Sequence, residues 1–289
     1  MLYHLMRASQ LQPIDAEQNP EPCGLGGVRF NLMKINGETR IVGLIGYPIG
    51  HTLSPAMHNR AFEYLDLNYV YLPFPVKESN LKEALRALPA LGMVGVNVTL
   101  PYKERVLEYL DEVSEEVELT HAVNTILVKD SRLIGYNTDG KGFVTSLRKG
   151  VEIDPRGKKV VIIGAGGAGR AVSIGLAKEG VEKITLTDII FNKAQDIASH
   201  ITKNVPKVEV AAVRKEGLGK EVREADVLIN ATPLGMKPED PLPIDSKLLH
   251  PNLLIYDLIY NPPKTKLLSE AEGIGAKTLN GVGMLLYQG

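Results

Sequence analysis

Lys103 and Asp139 are two side chains suited to moving a proton, and each stands where an apolar strand gives way to a helix. Lys103 follows Pro101 and falls in the first turn of an expected helix from Tyr102 to Leu110. A cation there opposes the helix dipole, so helix stability gives no reason for it. In a pocket the same feature eases loss of its proton and suits the amine to acid–base work. Asp139, in Asn137-Thr138-Asp139-Gly140, opens another helix, where a carboxylate either caps the backbone or does chemistry. Thr52 and Ser54 offer hydroxyls that can hold a carboxylate, although Ser54, followed by Pro55, can equally serve only as a helix N-cap. Asn97, Thr99, Asn124 and Thr125 lie near the ends of apolar strands, where each can face a ligand or merely satisfy a loop backbone. His51, His58 and His121 form no metal-ligand spacing with one another or with Cys23, so no metal is expected.

A second kind of chemistry is written in Val160-Val161-Ile162-Ile163-Gly164-Ala165-Gly166-Gly167-Ala168-Gly169-Arg170. Four apolar, mostly β-branched residues read as a strand buried on both faces. Gly164, Gly166 and Gly169 then fit G-x-G-x-x-G, and a helical pattern runs on to Gly180. Such a loop turns tightly, lets backbone approach a pyrophosphate, and presents the free N–H groups of a helix start, here from Gly167 and Ala168, to the phosphates. Dinucleotide binding follows, because the strand and the helix supply the context that the bare motif lacks.

The elements that must position these residues alternate. Strands are expected at Ile41–Gly46, Tyr69–Val76, Met93–Thr99, Val123–Val128 and Arg132–Tyr136, with helices from Ser54, Leu81, Pro101, Val113 and Asn137. That alternation predicts an α/β layer with a mostly parallel sheet. Residues 150–157, with Pro155, read as a junction. Strands near Val160, Ile184, Val208, Val227, Leu254 and Lys277 then give the count of a doubly wound, Rossmann-type domain. The expected division is a poorly ordered tail over 1–38, a substrate and catalytic domain over 39–149, a cofactor domain over 150–276, and a segment over 277–289 returning toward the first domain. Gln10 to Gly27 has no period of 2 or 3.6, and Met33 is the expected natural start.

The chain has 289 residues, 44% hydrophobic and 23% charged, with a formal net charge of -1. Nothing in that balance draws it to nucleic acid or an anionic membrane. Cys23 is the single cysteine, which leaves no internal disulfide framework and suits a reducing cytoplasm. No apolar run approaches the ~18 residues of a membrane span. The partner expected is a small molecule, and the chain is compatible with a monomer or a homodimer.

Eight stretches in order resemble the motifs of shikimate dehydrogenases. They are Pro48 to Pro55, Asn97 to Lys103, Ala122 to Thr125, Gly135 to Gly140, Gly164 to Gly169, Asn230 to Met236, Tyr256 to Pro262 and Asn280 to Gln288. The resemblance spans Arg40 to Gly289. It implies reversible reduction of 3-dehydroshikimate to shikimate with a nicotinamide cofactor, and with it a place in aromatic amino acid biosynthesis. It also implies that Lys103 and Asp139 are the catalytic pair, and that Thr52 and Ser54 hold the substrate carboxylate. Thr99, Asn124, Tyr260 and Gln288 would complete the substrate site. Thr232, Leu258, Gly283 and Met284 would line the nicotinamide end.

The sequence departs from that pattern in three places. Thr52 stands where serine is usual, which keeps the hydroxyl and narrows the pocket. Asp188 and Ile189 stand where members using the phosphorylated cofactor carry Asn-Arg. Asp188 lies nineteen residues after Gly169, where a carboxylate accepts from the ribose hydroxyls of NAD and repels a 2′-phosphate. NAD is therefore the expected cofactor, with NADP open through Lys193 or Arg214, and some use of quinate is expected. Third, the resemblance implies a further helix after Gly289 that packs on the first domain, and a weaker closure without it. A quinate dehydrogenase and a non-catalytic nucleotide sensor are the competing readings; the Thr52/Ser54 pair argues against a methylenetetrahydrofolate dehydrogenase.

Overall fold

The computed structural model describes residues 35–289. The expected tail and the start at Met33 fall on residues 1–34, outside the described part. The chain forms two six-stranded sheets flanked by helices, a two-domain α/β fold. The first half runs β1 (Arg40–Gly46), α1 (Ser54–Tyr64), β2 (Tyr69–Pro75), α2 (Leu81–Ala90), β3 (Gly95–Val98), a 3₁₀ turn (Arg105–Tyr109), β4 (Glu112–Val113), α3 (Glu115–Thr120), β5 (Thr125–Lys129), β6 (Arg132–Tyr136) and α4 (Asp139–Gly150). The second runs β7 (Lys159–Ile163), α5 (Gly167–Lys178), β8 (Lys183–Thr187), α6 (Phe191–Asn204), β9 (Glu209–Ala212), α7 (Leu218–Arg223), β10 (Val227–Asn230), β11 (Leu254–Asp257), α8 (Lys266–Gly273), β12 (Lys277–Leu279) and α9 (Val282–Gln288).

The first sheet, in order β2-β1-β3-β5-β6-β4, is mixed, with three of its five pairings parallel, including β4 with β6. β1 pairs in parallel with β2 and β3, but β5 runs antiparallel to both β3 and β6. The cause is local. Asp130 and Ser131, both at positive φ, close a two-residue hairpin between β5 and β6, which no helix can cross. The second sheet is wholly parallel, in order β12-β11-β10-β7-β8-β9, with the reversal of winding between β10 and β7. Its strands read as continuous apolar runs because both faces are covered, one by a core around Val160, Ile162 and Ile229, the other by a core around Val161, Leu228 and Ile255.

α4 joins the two halves. It packs on α5 where Gly140 meets Gly175 and the Ala171 carbonyl, and on α9 where Gly142 meets Gln288. Ser146 of α4 accepts a hydrogen bond from the Tyr256 phenol of β11 at 2.8 Å. The helix therefore sets how the first sheet's strand ends face the glycine loop.

Candidate active site

Lys103 is not in a helix. Its backbone carbonyl accepts from Val123 N at 2.7 Å, so it is not left to close a helical turn with Leu107, whose N–H bonds Glu104 instead. Tyr102 is buried, and its hydroxyl donates to the Val76 carbonyl. These tertiary bonds replace the expected helix from Tyr102 with a turn, in which Val106 N still bonds the Tyr102 carbonyl at 3.0 Å, and a short 3₁₀ segment follows. The turn aims the Lys103 amine at α4, where Nζ donates to Asp139 Oδ2 at 2.6 Å.

Asp139 does not cap its helix. The residue ahead of α4 is Thr138, and the local turn is made by Asn137, whose Oδ1 accepts from Asp139 N. That leaves both Asp139 oxygens free for tertiary partners: Lys103 on Oδ2, and Asn124 Nδ2 on Oδ1 at 2.9 Å. The side chains of Lys103 and Asp139 are 16% and 4% exposed, so the pair is shielded but still reachable through the amine. Asn124 Nδ2 also lies 2.8 Å from Gln288 Oε1, and the Thr138 hydroxyl donates to the Gln288 carbonyl at 2.7 Å. The end of the chain is thereby brought onto the pair.

Ser54 is the first residue of α1 and makes no side-chain cap, so its N-cap reading does not hold. Thr52 Oγ1 accepts from Ser54 N at 3.3 Å and takes over part of that duty. The Ser54 hydroxyl turns to the buried phenol of Tyr71, whose acidity burial suppresses strongly. The Tyr71 hydroxyl donates to Asn97 Oδ1 at 2.8 Å, and Asn97 Nδ2 donates to Thr125 Oγ1 and the Asn124 carbonyl. A chain of hydrogen bonds thus runs from Ser54 to the neighbourhood of Asp139. Thr99 closes β3 against Gly46, and Tyr260 lies near Tyr71. Asn261 Nδ2 donates to the His51 carbonyl at 3.4 Å, tying the loop after β11 to the Thr52 loop. Tyr71 was missed in the sequence. Its only signal is a second tyrosine, two residues after Tyr69 and so on the same face of an apolar strand.

At the glycine loop, Gly164 has φ +106, and a Cβ at Gly169 would lie 2.0 Å from the Gly164 carbonyl oxygen. No other residue fits either place. Nothing stands within 4 Å of a Cβ at Gly166, and α5 begins at Gly167 with no side chain capping its amides. The loop has the open backbone and free donors that a pyrophosphate requires. Across it, Gly167 faces Lys103 and Ala122 of the first half. Asp188, after β8, accepts from Ala165 N at 2.7 Å and Ile190 N at 2.8 Å. It is both a turn residue and an anchor of the glycine loop. Ile189 is 99% exposed, and Arg214 stacks over Phe191 with 4.1 Å to the ring centre. Thr232 and Leu258 share a partner, Asn230: Thr232 bonds its Oδ1, and Leu258 N its carbonyl. Gly283 packs against Ser146 and Met284 is buried in the core, so these two face α4. Among the described residues no group of acidic, histidine or cysteine side chains could hold a metal.

Known proteins are similar to this chain in sequence and in fold. Residues 44–126 match the family model for the shikimate dehydrogenase substrate binding domain, and residues 147–235 match that for shikimate / quinate 5-dehydrogenase. The chain is 49% identical over 260 residues to a shikimate dehydrogenase (NADP(+)) of Alkaliphilus metalliredigens, covering 89% of this chain and 91% of that protein. The chain belongs to the shikimate dehydrogenase family. Two solved structures extend the likeness to the whole fold. A shikimate dehydrogenase in complex with NADP+ superposes with a TM-score of 0.81 at 41% identity, covering 88% of each chain. Shikimate 5-dehydrogenase from Listeria monocytogenes, in complex with shikimate and NAD, gives 0.80 at 39% identity, covering 88% of this chain and 90% of that one. Relatives of both cofactor names therefore share the shikimate dehydrogenase fold seen here, and no helix among the described residues is long and apolar enough to cross a membrane.

Proposed function

We propose that the protein interconverts 3-dehydroshikimate and shikimate, with Lys103 and Asp139 as the proton-handling pair. The observation that carries this is the 2.6 Å contact between Lys103 Nζ and Asp139 Oδ2, held beside the open glycine loop. A bound nicotinamide supplies the hydride that adds to carbon 3. As it arrives, the Lys103 ammonium gives a proton to the carbon-3 oxygen, and the reverse reaction returns that proton to the amine. Asp139 holds the amine and accepts from a substrate hydroxyl. Thr52 and Ser54 hold the carboxylate, and Thr99, Asn124, Tyr260 and Gln288 bond the ring hydroxyls. A polyol acid needs this many partners, since a buried unpaired polar group costs ~1–3 kcal/mol. Residues 39–149 then form the substrate and catalytic domain and 150–276 the cofactor domain. Residues 277–289 bring Gln288 back to the substrate.

NAD is the preferred cofactor in this reading. Gly164, Gly166, Gly167, Ala168 and Gly169 cradle the pyrophosphate, and Asp188 accepts from the adenosine ribose while repelling a 2′-phosphate. Ile189 offers that phosphate no cation, and Arg214 is engaged with Phe191. Thr232, Leu258, Gly283 and Met284 line the nicotinamide end. The test is the initial rate with shikimate or quinate, each with NAD or NADP. Fastest turnover of shikimate with NAD is expected, and Asp188→Asn with Ile189→Arg should move the preference toward NADP. Faster turnover with NADP in the unaltered protein would sink the reading of Asp188 alone. Faster turnover of quinate would overturn the substrate, and no turnover with any pair would overturn the activity.

A further inference from the structure

Asp257 ends β11 with no exposed surface, and its carboxylate has an unusual set of partners. Oδ1 accepts from Asn230 Nδ2 at 3.0 Å and Ile259 N at 3.1 Å, and Oδ2 accepts from the Thr265 hydroxyl at 2.7 Å. All three partners are uncharged groups. Burying an uncompensated charge costs several kcal/mol, yet the hydrogen bonds do not require one. An asparagine could accept from Asn230 and Ile259 through its oxygen and donate to the Thr265 oxygen through its amide. The charge is therefore surplus to holding the loops.

Its position suggests what the charge acts on. The sheet reverses its winding between β10 and β7, and a dinucleotide lies across the carboxyl ends of the strands at such a point. The glycine loop and Asp188 follow β7 and β8 and take the adenosine half. The nicotinamide half then falls over β10 and β11, whose last residues, Asn230 and Asp257, are direct neighbours in register. An oxidised nicotinamide ring is cationic and a reduced one is neutral.

We infer that the buried Asp257 carboxylate biases the site toward the oxidised, cationic form of the cofactor. This rests on the dinucleotide reading above and is independent of the polyol-acid substrate. The test uses the protein without substrate. Dissociation constants for the oxidised and reduced cofactor are measured by calorimetry, with whichever pair, NAD or NADP, binds tighter. In Asp257→Asn the ratio of oxidised to reduced dissociation constants should rise roughly tenfold, the order expected of one charge acting a short way through protein. Asp257→Ser differs in shape and shares only the lost charge, so the same shift is expected there. A purely structural role would weaken both forms equally. Equal weakening, or an unchanged ratio in either folded variant, overturns the inference. Failure of the unaltered protein to bind either pair overturns the dinucleotide reading and this inference with it.

Discussion

At the scale of the residue, the Lys103–Asp139 pair carries the proposed chemistry. In the proposed reaction Lys103 is the proton donor and Asp139 positions it, and general acid–base catalysis of this kind contributes typically 10²–10⁴-fold. Lys103→Met is expected to lower kcat by that order and leave the dissociation constant of the cofactor within twofold. Asp139→Asn should behave alike, and the double variant should be no slower than the slower single one, because the two act as a unit. Additive losses in steady-state rates would refute the pair. His58 makes a different point. It is buried, stacks on Tyr71 with ring centres 4.4 Å apart, and neither ring nitrogen has a hydrogen-bond partner among the described residues. Burial lowers its pKa to about 4. The unfolded chain takes this proton near pH 6.5 and the folded one only near 4. Stability from this group is thus complete above pH 6.5 and is lost progressively as pH falls toward 4, by about 3 kcal/mol in all. Urea midpoints at pH 7.5 and 4.5 should show that His58→Phe, which sacrifices no hydrogen bond, escapes this part of the acid loss.

At the scale of the element, α4 decides whether the pair meets. Asp139 is its first residue, and Gly140 lets it lie on α5: a Cβ there would stand 2.7 Å from the Ala171 carbonyl oxygen and 3.3 Å from Gly175 Cα. Gly140→Ala gains up to ~1 kcal/mol of helix propensity. Forcing two backbones apart costs about 1–3 kcal/mol, so a net loss of stability is expected in urea titrations, with kcat/KM falling as Asp139 moves. Unchanged kcat/KM would mean that α4 does not position the pair. Elements also explain what the sequence could tell. β7, its loop and α5 were legible because a doubly buried strand and three glycines each need only local reasons. The turn carrying Lys103 was not, because its cause is the Val123 N–H, twenty residues away in sequence and adjacent only in the fold. The antiparallel part of the first sheet turns at Asp130-Ser131, where two positive-φ residues that are not glycine make the hairpin. Tyr71 stayed hidden for the same reason as Lys103: its partners Asn97 and Ser54 come from other strands and helices.

At the scale of the whole molecule, one site is built from two halves. Gln288, on the last helix, meets Asn124 and Thr138 of the first half, and Asn261 meets the His51 carbonyl. Gly167 of the glycine loop faces Lys103. Substrate and cofactor therefore draw on the same disposition of the two sheets. Whichever binds first bears the cost of fixing it, and the second binds to a molecule already arranged. Coupling between sites typically changes affinity 5–150-fold, and it is reciprocal. Shikimate should tighten binding of the reduced cofactor at least fivefold, and the reduced cofactor should tighten shikimate by the same factor. That combination cannot react, so calorimetry reads binding alone. Gln288→Ala removes the Asn124–Gln288 bond without touching the glycine loop, and leaves the Thr138 bond to the residue-288 carbonyl and the Asn261–His51 bond in place. It should weaken the coupling at least twofold while the cofactor alone binds as before. A coupling that survives intact in Gln288→Ala would mean that the halves communicate through those remaining bonds or through the Gly140–Gly175 contact of α4, and that the Gln288 side chain only shapes the substrate pocket.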